Sequence, residues 1–264
     1  MGSRPNVKSY RISFDFYVTP AVKLLLIANF AVFIFEALLY SFSGKSAYAD
    51  LLKWFGLVPA GVLPGLRIWQ PFTYLFLHDV TSIWHILMNM FTLWMFGREL
   101  ELVWGRNRFL RYYFLTGVGA GLINVAVKTV PAIFRGGLPL TAYTSTIGAS
   151  GAIFGILIAC AILFPDRRVY LLPFPVAMSM RTVVIIMAAF TFLGTFGLGD
   201  DSVSHICHLG GMLVGWLYLR RGSFLYSVRN SVSDWQHKRN RRRFQVYMDK
   251  HRKEPPSRPD NWVN

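Results

Sequence analysis

The chain has 264 residues, 53% of them hydrophobic and only 16% charged, with a mean hydropathy of +0.38. An average soluble domain is about 25% charged, so the composition excludes a disordered or collagen-like chain and an ordinary soluble enzyme. The net charge of +15 does not point to nucleic acid, because many of the cations crowd the last 45 residues, outside the apolar stretches.

A membrane-spanning helix needs roughly 20 mostly apolar residues, since each adds about 1.5 Å across about 30 Å of hydrocarbon. Six stretches are read as spans: Ala21 to Phe42, Ile83 to Phe96, Phe109 to Val130, Gly148 to Phe164, Arg181 to Gly197 and Ser204 to Leu219. The second is short alone and draws on its flanks. In lipid each must be a helix, because no water serves unpaired backbone groups. The first stretch lacks a short apolar core followed by a small-residue cleavage site, so no cleaved signal peptide is expected.

The expected organisation is a short segment 1–19, a membrane domain 20–220 and a basic tail 221–264. Within the domain, 43–82 is semi-apolar and carries Trp54, Pro59, Pro64, Trp69 and Pro71. It is read as an amphipathic structure in the membrane interface, the depth that Trp favours. The tail holds Lys238, Arg239, Arg241, Arg242 and Arg243, then Pro255, Pro256 and Pro259. It is expected to touch anionic lipid, each basic residue near such a surface adding about 1 kcal/mol. No nucleic-acid motif accompanies it.

Threading the six spans puts 22 of the 28 Lys and Arg on one side of the membrane. By the positive-inside rule that side is cytoplasmic and holds both termini. The expected location is a bacterial inner membrane.

Ionisable and polar groups inside spans are costly and mark function. The second span opens with Trp84-His85-Ile86-Leu87-Met88-Asn89, in which His85 and Asn89 share a face. The fourth opens with Gly148-Ala149-Ser150-Gly151, and the sixth with His205-Ile206-Cys207-His208-Leu209-Gly210-Gly211. These three spans run in the same direction, so their polar residues fall within one layer.

A serine and a histidine at one depth suggest nucleophilic catalysis, because an imidazole that accepts the hydroxyl proton activates the serine. His85 and Asn89 are positioned to supply donors to a tetrahedral oxyanion. Asp200 and Asp201 are read as capping the last span or facing water, which leaves a Ser–His dyad without an acid. A lone Ser among small residues often serves helix packing, and a lone His can be a satisfied packing residue. Cys207 with His205 and His208 is not a metal set, because neighbours this close on a helix do not face one another. With only Cys160 and Cys207, both in apolar stretches, no disulfide framework is expected. Glu36 is placed near the outer interface or against a neighbouring helix, without a role.

Phe76-Leu77-His78, Trp84 to Asn89, Phe96-Gly97-Arg98-Glu99-Leu100-Glu101, Gly148-Ala149-Ser150-Gly151-Ala152 and His208-Leu209-Gly210-Gly211-Met212-Leu213-Val214-Gly215 together resemble the rhomboid family of intramembrane serine proteases. The resemblance covers roughly residues 20 to 220. It implies an all-α polytopic membrane protein with a six-transmembrane-helix core. It also implies Ser150 as nucleophile, His208 as base and His85 and Asn89 on the oxyanion side. Further implications are Phe154 packed on the His208 imidazole, no cofactor or metal, and transmembrane proteins as substrates. His208 is preferred to His205 because glycines stand at +3 and +7, at Gly211 and Gly215. Those two are expected to pack against Gly151 and Gly155. His78 is read as a loop residue, and Phe190, Phe192 and Phe196 as candidates for a substrate gate. The alternatives are a proteolytically inactive rhomboid-like protein that binds membrane clients, and a transporter or channel.

Overall fold

The computed structural model describes residues 17–171, 176–195 and 205–220. Helix α1 runs Pro20–Phe55 and does not end at Phe42 as expected. It passes a kink at Gly44, whose φ is +80°, a conformation that only glycine adopts without strain. The helix starts on Pro20, and the Thr19 side chain makes no cap. Glu101 serves instead: its two carboxylate oxygens accept the N–H groups of Ala21 and Val22 at 2.7 and 2.9 Å. An anion there satisfies two orphan donors and meets the positive end of the helix dipole.

The rest of the expected interfacial segment is folded. Short helices α2 (Pro59–Val62) and α3 (Gln70–Thr73) lead into a 3₁₀ turn at Tyr74–Phe76. Buried Gln70 ties them to α1: its Oε1 accepts the Val58 N–H at 3.0 Å and its Nε2 donates to the Lys53 carbonyl at 2.9 Å. Trp69 stacks on Trp54 and donates to the Trp54 carbonyl at 2.8 Å.

Helix α4 (Ile83–Thr92) continues through a π-turn at Leu93–Gly97 into α5 (Arg98–Trp104), so this helical segment is longer than the apolar stretch that marked it. Helix α6 covers Arg106–Arg135 and α7 Ser150–Leu163. The all-α expectation needs one correction. Strands β1 (Arg168–Leu171) and β2 (Val176–Ser179) pair antiparallel, Arg168 opposite Ser179. The β-branched Val169 favours an extended chain there. Helix α8 (Met180–Gly194) begins at a Ser179 cap, whose Oγ accepts the Thr182 N–H, and α9 covers His205–Arg220.

Among the described residues, two helices are long and apolar enough to cross a membrane, Pro20–Phe55 and Arg106–Pro131, and Ser150–Leu163 and Met180–Gly194 are shorter apolar helices. Side chains such as Ile27, Ile34, Phe35 and Phe42 on α1, and Ile185, Phe190 and Phe192 on α8, lie exposed. Asn29, Glu36, Thr116, Asn124 and Thr191 are buried. Apolar groups outside and polar groups inside suit a protein surrounded by lipid.

Helix α7 packs against both α6 and α9. The contacts are made by small residues, because lipid supplies no hydrophobic drive between helices. A Cβ at Gly155 would run into Thr116 of α6, one at Gly211 into the Gly151 carbonyl, and one at Gly215 would stand 3.3 Å from the Gly155 Cα. The expected pairing of Gly211 with Gly151 and of Gly215 with Gly155 is therefore present.

Candidate active site

The site forms where the N-terminal ends of α4, α7 and α9 meet. Its backbone is set by Gly148, just before α7, whose φ is +116° and whose N–H donates to the Tyr74 carbonyl at 2.9 Å. A side chain at 148 is barred by conformation and by space. Its Cβ would lie 2.8 Å from His85 Nε2 and 3.8 Å from Asn89 Nδ2. The turn at Gly148 and Ala149 thus passes against the His85 and Asn89 side chains and delivers Ser150 as the first residue of α7.

Across from Ser150 stands His208, one turn into α9 and 9% exposed. His208 Nε2 lies 2.7 Å from Ser150 Oγ. The imidazole stacks on the Phe154 ring, centroids 4.2 Å apart and planes within 12°. Phe154 follows Ser150 by one turn, so a single helix presents both the hydroxyl and the surface that holds its partner. With Nδ1 carrying the ring proton, Nε2 accepts from the serine. Among the described residues no carboxylate bonds His208, and Asp200 and Asp201 lie outside them. Cys207 is turned away from His208, with Sγ 3.4 Å from the Tyr74 hydroxyl. No group of three metal-ligating side chains occurs among the described residues.

His205 does not reach Ser150. Its ring stands edge-on to His208, centroids 6.2 Å apart, and is packed against Gly194 of α8. Asn89 is less free than expected, because its Nδ2 donates to the His85 carbonyl one turn back at 2.8 Å. One amide hydrogen remains for another acceptor. Of the gate candidates, Phe190 and Phe192 project outward from α8, and Phe196 lies outside the described residues, as do 1–16 and the basic tail.

The structure adds three features, two beside the site and one, the Glu99–Arg167 pair, at the opposite end of α7. His78 is not a plain loop residue: it is fully buried, its ring 5.1 Å from that of His85. Burial pushes the His78 imidazole down to about 3, so it is neutral at ordinary pH. Glu36 is fully buried, and its Oε2 accepts the His78 N–H at 3.0 Å. Glu99 receives Arg167 on both oxygens, at 2.6 and 2.9 Å, which holds the Arg167 guanidinium above its ordinary value. Glu36 was visible as a lone acid in an apolar run. Its partner is a backbone N–H, which leaves no mark in a sequence.

The Rhomboid domain model matches residues 65–223. The chain is 32% identical over 137 residues to Rhomboid protein 1, mitochondrial, of Saccharomyces cerevisiae, covering 52% of this chain and 37% of that one. It is 31% identical over 143 residues to the human Presenilin-associated rhomboid-like protein, mitochondrial (53% of this chain, 35% of the relative). It is 26% identical over 190 residues to RHOMBOID-like protein 1 of Arabidopsis thaliana (72% and 42%). The chain therefore spans well under half the length of these relatives. They overturn the expected bacterial inner membrane with cytoplasmic termini: all three are eukaryotic, and the yeast and human proteins are named as mitochondrial. The physical reason is that a charge bias reports which side of a membrane carries the cations, not which membrane it is.

Proposed function

The chain belongs to the rhomboid family, and from that premise we propose that it is an intramembrane serine endopeptidase with six membrane spans. It cleaves membrane-anchored proteins within or near their transmembrane segments. The observation that carries this reading is the 2.7 Å contact between His208 Nε2 and Ser150 Oγ, with the imidazole held flat against Phe154.

Ser150 Oγ adds to the scissile carbonyl as its proton passes to His208 Nε2. The oxyanion receives the His85 Nε2–H, the free amide hydrogen of Asn89 and the Ser150 backbone N–H. Fixed donors of this kind cost no reorganisation when charge develops. The tetrahedral intermediate collapses, the C–N bond breaks, and His208 returns its proton to the leaving amine. Water then attacks the acyl-enzyme with His208 again as base, releasing the acid and freeing Ser150. The dyad works without a carboxylate because stacking on Phe154 fixes the ring orientation that an acid fixes in a triad. No step calls on a cofactor or metal.

A transmembrane substrate enters sideways from the bilayer. The outward-facing Phe190 and Phe192 of α8 support a lateral route there. The basic tail meets anionic lipid and keeps the domain oriented.

The test is cleavage of a model transmembrane substrate by purified protein in detergent or vesicles. Ser150→Ala abolishes turnover while the variant still folds and inserts. Retained turnover above background overturns the serine mechanism. Absence of turnover in the unaltered chain, together with specific retention of transmembrane clients, establishes the inactive binding protein instead.

A further inference from the structure

We propose that Glu36 is a positioning residue: through the turn at His78 and Asp79 it fixes the tautomer of His85, so that Nε2 presents a hydrogen to the oxyanion. The proposal rests on the proteolytic reading and assigns a duty to a buried acid that the mechanism otherwise leaves unused.

The His78 peptide groups are gripped on both sides by α1. Glu36 Oε2 accepts the His78 N–H at 3.0 Å. Tyr48, beyond the Gly44 kink, donates its hydroxyl to the His78 carbonyl at 3.2 Å. Glu36 is fully buried, and its other oxygen has no hydrogen-bond partner. An acid so placed is costly, and packing α1 alone would be served by an apolar side chain.

The peptide whose carbonyl Tyr48 holds carries the effect to the site with its N–H. The Asp79 N–H donates to His85 Nδ1 at 3.3 Å. A backbone N–H can only donate, so Nδ1 must present its lone pair, and the neutral imidazole must carry its proton on Nε2. Nε2 is the atom that lies against Gly148, two residues before the nucleophile. The opposite tautomer would turn a lone pair toward the developing negative charge. The His78 ring, buried beside His85 at 5.1 Å, limits how far that imidazole can swing. Gripping the His78 peptide therefore decides which side of His85 is a donor.

The experiment compares Glu36→Leu, Glu36→Gln and Tyr48→Phe in the full chain, each made with and without His85→Ala. Turnover of a transmembrane substrate gives kcat and KM. Ring-nitrogen NMR shifts of ¹⁵N-histidine protein report the His85 tautomer, its signal identified by its loss in His85→Ala. Removing one oxyanion donor costs about 10²- to 10³-fold in kcat, and freeing the tautomer removes part of that. Glu36→Leu should lower kcat about tenfold or more with KM little changed, and the His85 signal should become a mixture of tautomers. Glu36→Gln keeps an acceptor for the His78 N–H and should recover most of the loss. Tyr48→Phe should move both readouts the same way, by a few-fold. In the His85→Ala background the Glu36 substitutions should have no further effect, because contacting groups on one path are not additive. An unchanged tautomer in Glu36→Leu overturns the proposal, and so does an equal fall in kcat with and without His85. If Glu36→Leu does not fold, the Tyr48→Phe tautomer decides the question. The proteolytic reading stands or falls separately, by whether Ser150→Ala is dead.

Discussion

Gly211→Ala replaces a hydrogen with a methyl group where the structure has no room for it. The new Cβ would sit on the Gly151 carbonyl, 2.9 Å from its carbon atom. Carbon atoms in contact prefer about 3.5 to 4.0 Å, so α9 must retreat from α7 by about 1 Å, and backbone offers no rotamer by which to yield. His208 rides on the same helix one turn earlier. A 2.7 Å contact with Ser150 that opens by that amount passes about 3.6 Å, where it is no longer a hydrogen bond. A displacement of this size in a reacting pair costs about 10²-fold in rate, and overpacking a close helix contact costs about 1 to 3 kcal/mol. The assay is kcat on a transmembrane substrate together with the melting temperature in detergent. Both should fall, although residue 211 touches no substrate. Gly137→Ala is the control, since its Cβ meets nothing within 4 Å. Full activity and an unchanged melting temperature in Gly211→Ala would refute the claim that α7 and α9 must touch at this glycine for the dyad to form.

Other substitutions separate the remaining parts of the account. His208→Ala should abolish cleavage, whereas His205→Ala should leave a measurable fraction; the reverse order would move the base one turn along α9. Gly148→Ala, strained at φ +116° and crowding His85 Nε2, should lower kcat more than it changes KM; an unchanged kcat would remove this turn from the oxyanion site. Arg167→Met should leave Glu99 without its two-point partner, keeping the longer 3.6 Å ion pair to Arg98, and lower stability by about 1 to 2 kcal/mol, less than for a fully buried pair because Arg167 is partly exposed. Adding Glu99→Gln should recover much of that, which denaturation of the single and double variants would measure. Glu101→Ala should cost about 1 to 2 kcal/mol through the lost α1 cap, again read from the melting temperature.

Most helical elements and the residues that meet at the candidate site were legible in the sequence for a physical reason. Intramembrane polar residues are scarce, so Ser150, His208, His85 and Asn89 stood out against an apolar background, and the resemblance to the rhomboid pattern, with glycines at +3 and +7, favoured His208 over His205. The Gly44 kink was missed because hydropathy falls where α1 leaves the apolar stretch, while the helix itself goes on to Phe55. The β1–β2 pair was missed because it is short and its residues carry no clear alternation. The partners of Glu36, Glu101 and Tyr48 were opaque because each is a backbone group, and backbone groups are the same at every position. The location was misread because the charge bias is shared by membranes of different cells and organelles.

An activated nucleophile at Ser150 would react covalently with a serine-directed electrophile. Detergent-solubilised protein is treated with a fluorophosphonate probe and the modified residue is located by peptide mass analysis. The account requires one adduct, on Ser150, formed by the folded protein, lost after heat denaturation and absent in His208→Ala. Label on another serine, or equal labelling of Ser150 in folded and denatured protein, would contradict it.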